Sequence, residues 1–256
     1  MTKISLFRLT NLLNGSIIII MRRGNIGDRL MCEKLAQAGK DILGMGYYKN
    51  DNARSGDYVA GHEDAVADVL KEHGFIGFEQ GDFKGLKRKH LKQWWEAGFG
   101  NQLDDILTDM PEGSFILQPG GTQSFPDILV KDFNSKFYAL ECKSGKGTHP
   151  MWNDSTPKHG AVYIMSSKKT DQTTLFLGND VITKEEQSVI DRYNGLFENL
   201  KRQCEVEMGK VSSKNRGWLY SHRRQFFQQG GADKTNYFTH PDRQGCEQRA
   251  LEYLNL

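Results

Sequence analysis

The sequence predicts an α/β fold, because short β-type runs near the middle of the chain lie between longer segments with helical periodicity. Two apolar runs, FPDILV at residues 125–130 and FYALEC at residues 137–142, flank a polar turn rich in Asp, Asn and Ser. This pattern is typical of a β-hairpin. Further strand-type runs are AVYIM at residues 161–165 and TLFL at residues 174–177. The 256 residues are enough to bury a full core as a single domain.

Helices are expected before and after these strands along the chain. Three should precede them: residues 26–43, residues 58–73, and a helix that starts in the basic run at residues 81–92 and ends near Met110. After the strands, Thr183 is the expected N-cap of a helix that continues to about Met208. Glu185 and Glu186 lie in its first turn, where the helix dipole favours acidic side chains. Residues 242–254 should form a short closing helix.

The predicted hairpin carries charges where a buried strand should be apolar. Asp127 lies early in the first run, and Glu141 and Lys143 close the second. Side chains at i and i+2 share one face of a strand, so Glu141 and Lys143 project together while Cys142 points into the core. An antiparallel neighbour brings Asp127 to the same end of that face. Unpaired charges beside a core are costly, and carboxylates suit hard cations, so the set predicts a Mg²⁺ site for phosphodiester hydrolysis.

An edge hairpin with a surface Glu–Lys pair is the structural alternative. Such a pair contributes little to stability and needs no function. This alternative accounts for Lys143, but it accounts poorly for Asp127 and Glu141, since both lie inside apolar runs.

The hairpin also resembles the motif of a known family. Pro126-Asp127, a gap of thirteen residues and Glu141-Cys142-Lys143 resemble the PD-(D/E)xK nuclease superfamily, which includes most type II restriction endonucleases. The resemblance covers about residues 113–180. It implies a central mixed β-sheet flanked by helices, with a restriction-endonuclease-like core. It also implies that Asp127 and Glu141 bind Mg²⁺ with the backbone carbonyl of Cys142, and that Lys143 acts on the attacking water.

A fourth catalytic residue is expected on the helix at residues 58–73. In many enzymes of the resembled family, a glutamate on the helix before the core sheet supports the metal site. The resemblance implies this role for Glu63. A solvated glutamate on an ordinary amphipathic helix is the alternative.

Three segments are candidates for contact with DNA, since lysine and arginine neutralise phosphates and arginine, Asn and Gln also read base edges. They are the basic run, the long loop at residues 144–160 after the catalytic lysine, and residues 208–232, which contain no acid. The alternatives are a solvated face, a packed lid and a core anchor, respectively. The candidate residues are Lys87, Arg88, Lys146, His149, Asn153, Lys158, Lys210, Lys214, Arg216, Arg223 and Arg224.

These observations predict a Mg²⁺-dependent, sequence-specific endonuclease for double-stranded DNA, of restriction type, that leaves 5′-phosphate and 3′-hydroxyl ends. The resemblance also implies a homodimer, because enzymes of this type cut both strands of a palindrome and so need two active sites. A repair, junction-resolving or phage nuclease of the same fold is the enzyme alternative. A DNA-binding protein without catalysis is the alternative from another class.

Composition sets further limits. The net charge of +2 argues against a histone-like coat of positive charge. The four cysteines lack zinc-site spacing, and free thiols favour a cytoplasmic location. The apolar run at residues 16–21 is too short to span a bilayer, so no membrane partner is expected. Within one nuclease domain at residues 1–256, we expect a helical region at about 22–110, a catalytic core at about 113–180 and a helical, DNA-contacting region at about 183–256.

Overall fold

A six-stranded mixed sheet forms the centre of the structure. The structure is a computed structural model, and it describes residues 33–47, 60–122, 124–150, 152–153, 156–211, 225–226, 238 and 240–256. The strands of the sheet are β1 (Ile76–Glu79), β2 (Ser114–Leu117), β3 (Ile128–Lys131), β4 (Phe137–Gly145), β6 (Val162–Ser167) and β7 (Gln172–Leu177). They lie in the order β1-β2-β3-β4-β6-β7. The β1–β2 and β4–β6 pairs are parallel and the others antiparallel. Strands β5 (Trp152–Asn153) and β8 (Gln225–Phe226) form a separate antiparallel ladder.

Helices cover both faces of this sheet. The described helices are α1 (Lys34–Leu43), α2 (Ala60–Glu72), α3 (Arg88–Glu96), α4 (Lys184–Val211) and α5 (Arg243–Tyr253). Helices α1, α2 and α5 bury Leu35, Leu70 and Ala250 against one face. Helix α3 buries Leu91 and Trp94 against the other. The predicted α/β class, a mixed sheet with flanking helices, is therefore confirmed.

Strand β4 contributes side chains to both cores. Tyr138, Leu140 and Cys142 contribute to the core beneath α1, α2 and α5, whereas Phe137 and Ala139 contribute to the core beneath α3. The first six residues of β4 are buried and the last three are partly exposed. Side chains at the start of β4 therefore alternate between the two cores, and the end of the strand is partly exposed.

The predicted helix that ends near Met110 is wrong in its length. Helix α3 stops at Glu96, and the next residues adopt left-handed backbone, with φ of 80° at Gly98 and 61° at Phe99. The chain then folds into turns, and Trp94 Nε1 donates to the carbonyl of Gly100 at 3.0 Å. Met110 is nevertheless buried, so the apolar spacing of this segment reflects packing of turns and not a continuous helix.

The other described helices follow the sequence closely. Thr183 Oγ1 accepts a hydrogen bond from the N–H of Glu186, and Glu186 Oε2 accepts one from the N–H of Thr183. This reciprocal cap fixes the start of α4 as predicted. Residues 26–32 and 58–59 of the predicted helices, and the apolar run at residues 16–21, lie outside the described residues. In the described part of the chain, no helix combines the length and apolar character needed to cross a bilayer.

Candidate active site

The three charged residues of the hairpin meet at one end of the β3–β4 pair. Asp127 lies immediately before β3, which begins at Ile128, three residues after the start of the predicted strand at Phe125. Its N–H donates to Glu141 Oε2 at 3.2 Å, and its Oδ2 accepts from the N–H of Cys142 at 2.8 Å. Lys143 Nζ donates to Glu141 Oε1 at 2.6 Å. The predicted convergence of Asp127, Glu141 and Lys143 is therefore present in the structure.

Glu63 reaches the same region from the first turn of α2. Its side chain is only 6% exposed, so it is not the solvated residue of the alternative interpretation. Its Oε2 accepts a hydrogen bond from Gln118 Nε2 at 2.9 Å. The N–H of Gln118 donates to the carbonyl of Asp127 at 2.7 Å. Gln118 thus joins the helix carboxylate to the turn that holds Asp127.

Gln118 is a site residue that the sequence reasoning missed. It has φ of 45°, a left-handed conformation that is uncommon outside glycine. It is held there by its hydrogen bonds to Glu63 and Asp127 and by a third, which its carbonyl accepts from the N–H of Gly121 at 2.8 Å. The local sequence does mark this position, because a polar residue here follows the apolar strand β2 and directly precedes Pro119 and Gly120. The contact with Glu63 spans 55 residues, which no local pattern reveals.

The electrostatics of the site reflect an excess of buried acid. Burial raises the pKa of Asp127 to about 8, with further contributions from the neighbouring Glu141 and Glu63. Burial also raises the pKa of Glu63, although the hydrogen bond from Gln118 opposes this. For Lys143, burial lowers the pKa, but Glu141 and Asp127 more than offset it and the net shift is upward. One ammonium group therefore faces three carboxyl groups.

A small pocket opens beside this cluster. It has a volume of about 170 Å³ and is lined by Glu63, Asp64, Glu79, Leu117 and Gln118. Three of these side chains are acidic. A polyanion such as DNA would be repelled here unless a cation compensated the charge.

The donor set fits a hard divalent cation by its chemistry. Asp127 Oδ1 accepts no hydrogen bond from the described residues, whereas both carboxylate oxygens of Glu141 accept one. Carboxylate and carbonyl oxygens are the ligands that Mg²⁺ prefers. Within the described ranges, no three His, Cys, Asp or Glu side chains are grouped so as to hold a metal ion. The expected ligand set contains only two side chains, Asp127 and Glu141, with the carbonyl of Cys142, and it stays a prediction.

The candidate DNA-contacting residues lie in several places. Lys146 and His149 are exposed just after β4. Lys158 places Nζ 4.4 Å from the ring centroid of Trp95 on α3. The remaining described candidates are Asn153 in β5, exposed Lys87 and Arg88 at the start of α3, and Lys210 in the last turn of α4. Outside the described residues lie Lys214, Arg216, Arg223 and Arg224.

The β5–β8 ladder joins two of the three candidate segments. Trp152 pairs with Phe226, and Asn153 pairs with Gln225. Strand β5 belongs to the loop that follows Lys143, and β8 belongs to the acid-free segment at residues 208–232. The backbone therefore connects the basic C-terminal segment to the loop that leaves the site.

Comparisons of the chain with models of protein families, with curated proteins and with solved structures find no match. The resemblance to the PD-(D/E)xK superfamily accordingly rests on the site residues themselves.

Proposed function

We propose that the protein is a Mg²⁺-dependent endonuclease that hydrolyses phosphodiester bonds in double-stranded DNA. The observation that carries this proposal is the meeting of Asp127, Glu141 and Lys143 at one end of β3 and β4, with Glu63 approaching from α2. The structural alternative of an exposed Glu–Lys pair does not fit, because Glu141 is 9% exposed and its carboxylate also contacts the turn of Asp127.

The ligand roles in this proposal are those that the family resemblance implies. Asp127 and Glu141 would hold the cation, with the carbonyl of Cys142 as a third donor. When bound there, Mg²⁺ would polarise the phosphate and lower the pKa of a water molecule. Glu63 adds negative charge at the edge of the site, and Gln118 fixes its carboxylate at 2.9 Å.

Lys143 acts as a charged group in this proposal. Its raised pKa keeps the side chain an ammonium at neutral pH, so it cannot readily accept a proton from water. An ammonium at this place orients the attacking water and stabilises negative charge that develops on the phosphate. Glu141 holds Lys143 through the 2.6 Å contact and so sets its position. Attack of the water oxygen on phosphorus with departure of the 3′ oxygen yields 5′-phosphate and 3′-hydroxyl ends.

Recognition of a DNA sequence, as in restriction enzymes, belongs to the same proposal. The support is the basic, Gln- and Arg-containing segment at residues 208–232 and its backbone pairing with the loop after Lys143. Arginine and glutamine are side chains that read base edges in the major groove. Two sites acting on opposite strands would require a homodimer.

A comparison of substrates tests this function. The full chain with Mg²⁺ should convert phage λ DNA into discrete fragments and should not prefer a four-way junction of random sequence. Selective nicking at the junction would instead support a nuclease that reads DNA structure. Tight binding of both substrates without cleavage of either, in Mg²⁺ and in Mn²⁺, would contradict catalysis and leave a DNA-binding protein.

A further inference from the structure

Helix α4 is unlike every other described helix. It is 28 residues long, none of its residues is buried, and no other described helix or strand packs extensively along it. Ten large hydrophobic residues of the described chain are exposed, and eight of them belong to α4. They are Val189, Tyr193, Leu196, Phe197, Leu200, Val206, Met208 and Val211. This concentration requires an explanation, since apolar patches of such length are rare on monomeric proteins.

Five of these eight side chains lie on one face of the helix. Val189, Tyr193, Leu196 and Leu200 follow one another at intervals of four, three and four residues. At about 100° per residue, this spacing keeps them within a stripe roughly 60° wide. Val211 lies on the same face in the last turn, beyond the polar residues Gln203 and Glu207. We call this surface the α4 stripe.

The charges of α4 argue against a lipid or nucleic acid partner. The helix carries five Lys and Arg residues against six Asp and Glu residues. Helices that lie on anionic membranes or along DNA present basic residues beside the apolar face. With its near-neutral balance of mixed charges, α4 is instead typical of a helix that packs against protein.

We propose that the α4 stripe is a self-association surface that pairs with the same stripe on a second copy of the chain. Alternating intervals of three and four are the pattern with which one helix packs against another like itself. An isologous contact requires only one self-complementary surface, and the stripe runs along a helix roughly 42 Å long. This inference rests on the exposed surface alone and does not depend on the nuclease proposal.

The available area is sufficient for a stable dimer. Burial of one large apolar side chain removes roughly 60–120 Å² of surface from water, from its transfer free energy at about 25 cal/mol per Å². Phe197 and Met208 lie within about 60° of one edge of the stripe, and with them seven such side chains on each of two copies give on the order of 800–1,700 Å² in total, which overlaps the usual range for specific interfaces.

Analytical ultracentrifugation of the full chain, over a wide range of protein concentration, tests the proposal. The wild type should be a dimer. The double variant Leu196→Glu/Leu200→Glu should dissociate at least about a hundredfold more readily, because it places charge at the centre of the interface. Both leucines are more than half exposed, 53% and 58%, so the fold of each copy should persist, as checked by circular dichroism.

Val206→Glu is the matched control. Val206 is 60% exposed on the same helix, but it lies about 120° around the axis from Leu200 and outside the stripe. This variant should remain a dimer. A wild type that is monomeric at every concentration would overturn the proposal and leave the stripe to a different protein. A double variant that stays dimeric, or a Val206→Glu variant that dissociates equally, would overturn it as well.

Discussion

The hairpin site and the α4 stripe both depart from the usual burial of residues: the hairpin site buries charged side chains, whereas the α4 stripe exposes apolar ones. At the hairpin, Glu63 and Glu141 are buried, at 6% and 9% exposed. On α4, leucines such as Leu200 are more than half exposed. Both arrangements cost stability in an isolated chain, since buried charge and exposed apolar surface are each unfavourable. We propose that each cost is offset by binding, of a cation and a phosphate at the hairpin site and of a second apolar face at α4.

The largest expected effect is a difference in the free energy of unfolding between a substitution in the core and one in the α4 stripe. Leu70→Ala on α2 removes a fully buried side chain and should lower the free energy of unfolding by about 2–5 kcal/mol. Leu200→Ala removes the same atoms from an exposed position and should change it by less than about 0.5 kcal/mol in the monomer. Urea denaturation at low protein concentration measures both. Equal losses would mean that α4 packs on its own chain.

The next prediction concerns the pH dependence of stability in the presence of a chelator. Asp127 titrates near 3.8 when unfolded and at about 8 in the fold, so between these values only the folded state keeps the proton. The stabilisation from this group is therefore full below pH 3.8 and is lost as pH rises towards 8. The expected slope is on the order of 1.4 kcal/mol per pH unit.

Asp127→Asn isolates this contribution, because the amide keeps the size of the side chain and an acceptor for the N–H of Cys142. Denaturation midpoints of the variant should fall less steeply than those of the wild type as pH rises. Parallel curves for the two proteins would contradict the raised pKa of Asp127.

A smaller effect is expected at Gln118. Gln118→Ala removes the hydrogen bond to Glu63 and should reduce DNA cleavage about tenfold, or roughly 1.4 kcal/mol. Since that hydrogen bond holds down the pKa of Glu63, the acid limb of the pH–rate profile should move to higher pH. Gln93→Ala, on the exposed side of α3, is the control and should leave rate and profile unchanged. An unshifted profile with a reduced rate would indicate only a structural role for Gln118.

The charged hairpin was predictable because its information is local. The two-residue period of a strand places Glu141 beside Lys143, and an antiparallel turn of a few residues brings Asp127 opposite. The same holds for the cap at Thr183. By contrast, the apolar period after Trp94 predicted a helix that Gly98 and Phe99 end, since their left-handed backbone outweighs periodicity.

Contacts between distant segments were beyond the sequence. Gln118 contacts Glu63 only because the turn after β2 lies beside the first turn of α2 in the fold. The sequence likewise predicted that α4 exists and where it starts, but not that the described part of the chain leaves its apolar face exposed. That fact depends on where the rest of the chain packs.

We propose that the buried carboxylates of the hairpin bind Mg²⁺ and that the protein thereby cuts DNA. Single-turnover cleavage of duplex DNA, with the wild type beside Asp127→Asn and the exposed control Asp104→Asn, tests it most directly. We expect Asp127→Asn to lose at least about 10³-fold in rate, while Asp104→Asn and the wild type cut at the same Mg²⁺-dependent rate. Cleavage by Asp127→Asn at the wild-type rate, or wild-type cleavage that persists in chelator, would contradict it.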